Sequence, residues 1–441
     1  MALLSLLFFI ISCTFLRPLC LSHAETDTLK QGQRLHDWEL LNSTGGVFRL
    51  GFLSLGSDSA LLGTFAPRYI GIWFNSIPVY PVWVANPNDP IPDSSGVLTM
   101  DSDGILKIAY KGAPPIAISS NKAKRTSEKN ITATLLDSGN FVIREVNSDG
   151  MAGAILWQSF DYPSNMLLPE MKLGINFKTG HEWYLSSWLS DELPSPGAFK
   201  LGLDPNGSSQ LMVWRREEVY WRSGAWKNGS FELAPQITKR ISEYEFKFVT
   251  NENESYFSYS VKNQSAVLSR WQLESLGEIT QFTLYKHSGL VDWIFETTSP
   301  CNTVARNSTA VCLNEKPLKC RKNSDYFEPR KGGMDVEGYQ DYNASLALSD
   351  WFMRNMSTWF FEDNKSLSLS DCHAKCWKNC SCIAFQSASK DGTGCWLFPR
   401  GTDFIQDEYL DDVYLLTPVH NQGLQTLLFD NLSYSCLYCI K

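Results

Sequence analysis

The sequence predicts a mainly β-sheet protein whose C-terminal part is a disulfide-rich module of mixed α and β structure. Short apolar runs alternate with turn residues from Glu25 to Glu296, the pattern of strands joined by turns. Aromatic residues, which favour strands, form 13% of the chain. Ten of the 12 cysteines lie from Cys301 onward, which predicts that disulfides are confined to the C-terminal part.

The N-terminus has the pattern of a secretory leader. Residues 1–11 are almost wholly apolar, and Ser22 and Ala24 have the spacing of a signal-peptidase site. We therefore predict a signal peptide over residues 1–24. A short membrane anchor is the alternative, which the shortness of the apolar run disfavours. No later stretch holds roughly 18 uninterrupted apolar residues, so we expect a secreted protein with no transmembrane helix after the signal peptide.

Composition restricts the partners and cofactors. The net charge of -8 argues against binding nucleic acid or an anionic membrane surface. An even, clustered set of cysteines behind a signal peptide predicts disulfides, and we expect neither a metal nor a cofactor. Zinc bound by Cys376, Cys380 and Cys382 is the alternative, which secretion disfavours.

Twelve Asn-x-Ser/Thr sequons predict N-glycosylation, which places the modified asparagines at the surface. Asn379 is the weakest candidate, because the middle residue of its sequon is Cys380 and a disulfide there would bury it. The other eleven are predicted glycosylation sites: Asn42, Asn130, Asn206, Asn228, Asn253, Asn263, Asn307, Asn343, Asn355, Asn364 and Asn431.

Residues 25–150 form a first predicted β-domain, and it contains an internal repeat. Residues 98–106 resemble residues 134–142, and each copy is a strand, a turn that begins Asp-Ser and a second strand. The two turns begin at Asp101 and Asp137, 36 residues apart. This spacing predicts a pseudo-symmetric β-domain whose units share one core; two unrelated hairpins are the alternative.

Further segments follow along the chain. Residues 151–296 continue the β pattern and form a second β-domain, and residues 297–333 form a Cys-containing connector. Residues 334–418 form a third domain with one helix, in which Ser370 caps residues 371–378. Cys372 and Cys376 then lie on one face of that helix. Residues 419–441 form a C-terminal tail.

Several motifs resemble those of one protein family. GVFRLGF at residues 46–52, YIGIW at 69–73, VWVAN at 82–86 and WQSFDYP at 157–163 resemble the bulb-type lectin domain of plant S-locus glycoproteins and G-type lectin S-domain receptor-like kinases. WRSGAW at 221–226 resembles the signature of their S-locus glycoprotein domain. DCHAKCWKNCSC at 371–382, with GTGC at 392–395, resembles their PAN/apple module.

The resemblance implies tandem bulb-lectin-type β-prism domains over residues 25–150 and 151–296, followed by a disulfide-rich α+β PAN/apple domain over 334–418. The EGF-like module usual between them is reduced here to Cys301, Cys312 and Cys320. The sequence holds no Gly-rich nucleotide loop with a paired Lys and no His-Arg-Asp catalytic loop. We therefore expect an ectodomain without the kinase, and no enzyme; a truncated receptor-like serine/threonine kinase product is the alternative.

The family's mannose site, Gln-x-Asp-x-Asn-x-Val-x-Tyr, is degenerate in both repeats. The first repeat keeps only Asp103, and the second keeps only Asn140 and Val142. Ile105 stands where a sugar hydroxyl needs a polar partner, and each unpaired hydroxyl costs about 1–3 kcal/mol. We expect these carbohydrate-binding positions to serve their turns; mannose binding through them is the alternative.

The resemblance also implies a set of disulfides, although the sequence alone leaves many pairings open. Cys436 and Cys439 lie beyond the family's usual boundary, and their pairing stays open. The implied pairs are Cys372 with Cys395, Cys376 with Cys382, Cys320 with Cys380, and Cys301 with Cys312.

The resulting hypothesis is an extracellular recognition glycoprotein of the apoplast or cell wall. It binds a protein or peptide ligand, or it pairs with a receptor kinase. A mannose-binding lectin is one alternative, with weak glycan binding, and a structural cell-wall glycoprotein without a specific ligand is another. A homodimer stays open as a further partnership.

Overall fold

The computed structural model describes residues 26–56, 66–76, 80–120, 130–287, 290–298, 319–322, 325–335 and 360–418. Over these residues the fold is mainly β with one α-helix, in the C-terminal module, which confirms the predicted fold class. The predicted signal peptide and tail lie outside the described residues. So do Cys301, Cys312, Cys436, Cys439, Asn307, Asn343, Asn355 and Asn431.

The chain divides into two compact units. Unit 1 comprises Met1–Asn314, Glu362–Asp371 and Ser387–Cys395, and unit 2 comprises Glu315–Phe361, Cys372–Gln386 and Trp396–Lys441. None of the helices in the described part of the chain has the length and apolar character that crossing a bilayer requires.

The N-terminal part of unit 1 consists of three four-stranded antiparallel sheets, which we call the first sheet group. Their strand orders are β1-β10-β11-β12, β2-β7-β8-β9 and β3-β4-β5-β6. The strands are β1 (Thr28–Lys30), β2 (Arg34–His36), β3 (Leu41–Asn42), β4 (Phe48–Leu53), β5 (Tyr69–Phe74), β6 (Trp83–Val84), β7 (Val97–Met100), β8 (Leu106–Ala109), β9 (Ile116–Ala117), β10 (Asn130–Leu135), β11 (Phe141–Val146) and β12 (Ala152–Gln158).

Period-2 alternation explains why these segments form strands with one buried face. In β7 and β8 the residues Leu98, Met100, Leu106 and Ile108 point into the core and are buried, while the residues between them are half-exposed. β12 pairs with β11, so the first sheet group continues to Gln158, past the residue 150 at which the sequence analysis ends the first domain.

The rest of the β structure of unit 1 forms the second sheet group. Its four-stranded sheets have the orders β13-β24-β25-β26, β15-β14-β23-β22 and β16-β17-β18-β19, beside the small ribbon β20-β21. The strands are β13 (Met166–Leu167), β14 (Leu173–Asn176), β15 (His181–Trp183), β16 (Leu185–Trp188), β17 (Pro196–Leu203), β18 (Leu211–Arg215), β19 (Glu218–Arg222), β20 (Trp226–Lys227), β21 (Ser230–Phe231), β22 (Tyr244–Thr250), β23 (Glu254–Val261), β24 (Val267–Leu273), β25 (Ile279–His287) and β26 (Leu290–Thr298).

Aromatic side chains fill the core of the second sheet group. Trp271 is buried at its centre, with the rings of Tyr259 and Phe257 at centroid distances of 5.1 and 5.6 Å. Trp221 and Tyr244 are buried in the same core. One continuous apolar cluster, from Leu29 to Ile279, runs through both sheet groups.

The C-terminal module contains a six-stranded sheet of order β28-β30-β29-β32-β27-β31 and the helix α1. β27 pairs with β32 from Asp325 onward, so the sheet begins ahead of residue 334. The elements are β27 (Asp325–Asp335), β28 (Phe360–Glu362), α1 (Leu369–Lys378), β29 (Cys382–Ser387), β30 (Cys395–Pro399), β31 (Asp403–Gln406) and β32 (Asp412–Pro418).

The start of α1 differs from the sequence prediction. Ser368, not Ser370, precedes the helix, and its backbone N–H and hydroxyl both donate to Asp371 Oδ2 at 2.9 Å. The backbone N–H of Asp371 donates to the backbone carbonyl of Ser368 at 2.9 Å, which closes the first turn, while the Asp371 carboxylate satisfies the N–H of the residue before the helix. The predicted cap at Ser370 is therefore wrong, and Ser370 lies in the first turn.

Candidate ligand-binding site

The two predicted repeats form the hairpins β7–β8 and β10–β11, which lie in different sheets of the first sheet group. In the first hairpin Asp101 N donates to Ile105 O at 3.1 Å, and in the second Leu136 N donates to Asn140 O at 2.9 Å. Gly104 and Gly139, each three positions after the donor, have positive φ angles of 75° and 84°. The copies therefore share one turn geometry, which a glycine makes accessible.

A third hairpin of the same kind, β3–β4, was not found by sequence reasoning. Ser43 N donates to Phe48 O at 2.9 Å, and Gly46 takes a φ of 66°. Its turn is one residue longer than the other two and lacks the Asp-Ser pair, so the repeat was hidden. Gly45 N donates to Asp137 Oδ1 at 2.7 Å, which ties this hairpin to β10–β11.

The first hairpin uses its carboxylate internally. Asp101 Oδ1 accepts the backbone N–H groups of Asp103 and Ile105, both at 2.9 Å, and Asp101 Oδ2 pairs with Lys107 Nζ at 2.6 Å. Burial alone would raise the pKa of Asp101, but the hydrogen bonds from Lys107 and from the two backbone N–H groups outweigh it and lower that pKa. Asp103 itself lies exposed at the tip of the turn.

The second hairpin holds Asn140 and Val142 in the protein interior. Asn140 is 8% exposed, and its Nδ2 donates to Gln158 Oε1 at 2.9 Å. Its Oδ1 accepts the Ser159 hydroxyl and the Phe160 backbone N–H, both at 3.3 Å. Val142 is buried as well. A sugar could reach the amide of Asn140 only by displacing its partners in the segment 158–160, which belongs to the WQSFDYP motif.

The described cysteines are all in disulfides. The structure joins Cys320 to Cys380 and Cys376 to Cys382, with Cα–Cα distances of 5.7 and 5.2 Å, as the family resemblance implies. Cys372 and Cys395 are also disulfide-bonded. The zinc alternative at Cys376, Cys380 and Cys382 is contradicted by these bonds. In the described ranges no group of three or more His, Cys, Asp or Glu residues could hold a metal ion.

Arg321, next to Cys320, connects the predicted connector to the C-terminal end of α1. Its NH2 donates to the carbonyl oxygens of Cys376, Asn379 and Cys382 at 2.7–2.8 Å. The carbonyls of Cys376 and Asn379 lie at and just beyond the last turn of the helix, where a cation is favourable, and Cys382 is the first residue of β29. Burial lowers the pKa of Arg321.

All but one of the described sequon asparagines are exposed. Asn42 is half-buried and its Oδ1 accepts Arg49 Nε at 3.0 Å. Asn379 is exposed, and so is the disulfide-bonded Cys380, which we expected to be buried. The remaining ones are exposed, as glycosylation requires: Asn130, Asn206, Asn228, Asn253, Asn263 and Asn364.

A partly buried polar cluster lies at the sheet β13-β24-β25-β26. Gln272 Nε2 donates to Tyr80 Oη at 2.9 Å and to Glu274 Oε2 at 2.7 Å. Burial raises the pKa of Glu274 to about 7, with a further contribution from the nearby carboxylate of Asp191. Burial also raises the pKa of Tyr80 to about 12. The cluster is a pH-sensitive point of contact between the two sheet groups.

Three family models match the chain. They are the D-mannose binding lectin over residues 81–189, the S-locus glycoprotein domain over residues 221–330 and the PAN-like domain over residues 347–402.

Several curated relatives are similar to this chain over most of its length. The chain is 35% identical over 394 residues to the G-type lectin S-receptor-like serine/threonine-protein kinase CES101 of Arabidopsis thaliana, covering 87% of this chain and 45% of that protein. It is 31% identical to the G-type lectin S-receptor-like serine/threonine-protein kinase SD1-13 of Arabidopsis thaliana, covering 90% of this chain and 48% of that protein. It is 29% identical to the S-locus-specific glycoprotein S6 of Brassica oleracea, covering 85% of this chain and 86% of that protein. The chain thus spans about half the length of the kinases and most of the glycoprotein.

Proposed function

Because the chain belongs to the family of S-locus glycoproteins and G-type lectin S-receptor-like kinase ectodomains, we propose that it is a secreted recognition glycoprotein that binds an extracellular protein or peptide. The partner is a protein or peptide ligand, or the ectodomain of a receptor kinase. The chain covers 86% of the S-locus-specific glycoprotein, which supports a recognition role.

One observation carries the choice of a protein partner over mannose. Of the three residues that survive from the mannose motif, Asn140 and Val142 are buried, and the amide of Asn140 is hydrogen-bonded to Gln158, Ser159 and Phe160. A hexose needs several convergent donors and acceptors at one exposed place. Asp103 alone supplies too few of them.

The experiment is a binding measurement on the glycosylated chain by biolayer interferometry. The probes are purified ectodomains of G-type lectin S-receptor-like kinases from the same plant, with and without excess methyl α-mannoside. We expect saturable binding to one or a few ectodomains that mannoside does not compete. Binding to none of them, or binding that methyl α-mannoside abolishes, would contradict the proposal.

A mannose-binding lectin is the second candidate. The match to the D-mannose binding lectin model and the exposed position of Asp103 at the tip of β7–β8 favour it. Saturable mannoside binding that Asp103→Ala abolishes would support this candidate over the first.

A further inference from the structure

In three of the described sequons the acceptor asparagine binds the hydroxyl group of its own sequon. The donor and acceptor pairs are Ser265 Oγ to Asn263 Oδ1 at 2.7 Å, Ser366 Oγ to Asn364 Oδ1 at 2.8 Å, and Ser381 Oγ to Asn379 Oδ1 at 2.7 Å. All six side chains belong to exposed residues. In the folded protein the three sites therefore have equal room for a glycan, and any difference between them has to come from the backbone.

The chemistry of N-glycosylation requires such a sequon to open. The asparagine Nδ2 forms a bond to C1 of an oligosaccharide, the bond from C1 to the pyrophosphate of a lipid carrier breaks, and the amide proton passes to a base of the transferase. The transferase has to contact the amide and the hydroxyl that bind each other in the folded turn. A turn held by hydrogen bonds opens readily, whereas a turn closed by a covalent bond does not.

The sequon of Asn379 is the one that a short covalent loop encloses. The disulfide between Cys376 and Cys382 spans a sequence separation of only 6, and Asn379 lies at its centre. Asn379 N donates to Cys376 O at 3.1 Å, and Cys382 N donates to Asn379 O at 3.0 Å. Cys380, the middle residue of the sequon, is bonded to Cys320. The backbone of this sequon is therefore fixed on both sides of the acceptor.

Asn364 provides the matched comparison. Its side chain makes the same contact with its sequon hydroxyl, and its carbonyl accepts the backbone N–H of Leu367 at 2.9 Å. No cysteine lies between Arg321 and Asp371 in the sequence, so no short disulfide loop can enclose Asn364. This sequon is held by hydrogen bonds alone, and it stays open to the transferase for longer.

The Cys376–Cys382 loop can close as soon as the sequon has been made. The entropic cost of closing a loop increases with its length, so a separation of 6 is inexpensive. Cys382 follows Asn379 by three residues, so both thiols are present almost at once. Closure by thiol–disulfide exchange moves two electrons and two protons from the thiols to the disulfide of an oxidoreductase. The oxidoreductase and the glycosyl transferase therefore compete for the same segment.

We propose that Asn379 is an N-glycosylation site that is modified only while Cys376 and Cys382 are still reduced, so that the mature protein exists in two glycoforms. A chain that receives the glycan first keeps it, because Asn379 is exposed in the fold and leaves room for it. A chain in which the disulfide closes first stays without a glycan at Asn379. The inference rests on these contacts and on disulfide formation in an oxidising compartment, and it does not depend on a ligand.

The test is the glycan occupancy of Asn379 and Asn364, measured on the full chain made in cultured plant cells. Peptide-N-glycosidase in heavy-oxygen water converts each occupied asparagine to a labelled aspartate, which mass spectrometry of the peptides counts. We expect full occupancy at Asn364 and partial occupancy at Asn379. Dithiothreitol added during synthesis keeps the thiols reduced, and it should raise the occupancy of Asn379 to that of Asn364.

Substitutions separate the short loop from general effects on folding. Cys382→Ser should raise the occupancy of Asn379 to that of Asn364, while Cys320→Ser, the matched change in the long loop, leaves it at the wild-type value. Occupancy is counted on all chains in the cell, so a variant that is retained because it misfolds still gives an answer. Ser381→Thr keeps every disulfide and should raise the occupancy of Asn379, because threonine sequons are modified faster.

Three results would overturn the proposal. They are full occupancy of Asn379 in the untreated wild type, an unmodified Asn379 in Cys382→Ser, and an equal increase in Cys320→Ser and Cys382→Ser. None of these results bears on binding to receptor ectodomains, which is measured separately.

Discussion

The two sheet groups of unit 1 share an architecture of three four-stranded antiparallel sheets, but they treat their polar side chains differently. In the first group the chain itself takes up the polar groups at the sugar positions: Asp101 binds its own turn and Lys107, and Asn140 binds the segment 158–160. In the second group, charged side chains lie over aromatic rings on the outward faces, with exposure that increases from Arg270 to Lys200. A fold can thus be kept while the polar atoms of its binding site are reassigned to structural hydrogen bonds.

The largest expected effect is at Glu274, in the polar cluster that Gln272 forms with Tyr80 and Glu274. Burial raises the pKa of Glu274 to about 7, above its ordinary value of 4.5. Ionisation of this carboxyl therefore opposes folding: the folded state loses stability as the pH rises from 4.5 to 7, by up to about 3 kcal/mol. Glu274→Gln should make the protein more stable by up to about this amount at about pH 8 and by almost nothing at about pH 4. Urea unfolding at both pH values measures this, and an equal difference at both would contradict the assignment.

A substitution at Asn140 tests whether this residue stabilises the fold or binds a sugar. Asn140→Ala removes the partner of Gln158, Ser159 and Phe160, so we expect a loss of about 2–3 kcal/mol in the free energy of unfolding. The matched change Asp103→Ala, at the corresponding hairpin, should cost no more than about 0.5 kcal/mol because that side chain is exposed. Denaturant unfolding compares the two, and equal losses would remove the distinction between the hairpins.

Asp101 gives a smaller effect with a definite pH dependence. Asp101→Asn weakens the contacts with Lys107 and with two backbone N–H groups, and we expect a loss of about 1–2 kcal/mol near neutral pH. The pKa of Asp101 is lowered in the folded state, so its stabilisation is complete above the ordinary pKa of Asp and disappears as the pH falls through the lowered value. The difference between the wild type and the variant should therefore shrink in acid, and a difference that grows in acid would contradict the sign.

The smallest effects are expected at two ion pairs of the second group, Lys172 with Glu254 and Lys200 with Glu182. Lys172→Gln should cost more than Lys200→Gln, because Lys172 is the less exposed lysine and packs over a buried tryptophan. Both losses should stay within about 1 kcal/mol, as for other exposed ion pairs. Thermal unfolding in low and high salt checks the order, and the reverse order would contradict the graded exposure.

Much of the fold could be predicted from the sequence, because period-2 alternation and turn residues are local signals. The apolar segments at residues 46–52 and 69–73, for example, overlap β4 and β5, with ends that differ by at most two residues. The third hairpin was missed because its turn begins Ser43-Thr44 in place of Asp-Ser and is one residue longer. The start of α1 was misplaced by two residues because Ser368 and Ser370 are both good caps, and only the contact with Asp371 decides between them.

The binding surfaces were less predictable because they depend on contacts between distant segments. The loss of mannose residues could be read from the sequence, but the burial of Asn140 requires the position of Gln158, 18 residues away. Lys172 meets Tyr256 and Arg270 meets Tyr80 only after the sheets have assembled.

The most direct measurement is a titration of the full chain with methyl α-mannoside, followed by calorimetry or by NMR of the sugar. If the residues left from the mannose motif serve the turns of the first sheet group, no saturable binding will occur at any accessible sugar concentration. Saturable binding to the wild type that is abolished by Asp103→Ala, a change that leaves the fold intact, would contradict that assignment.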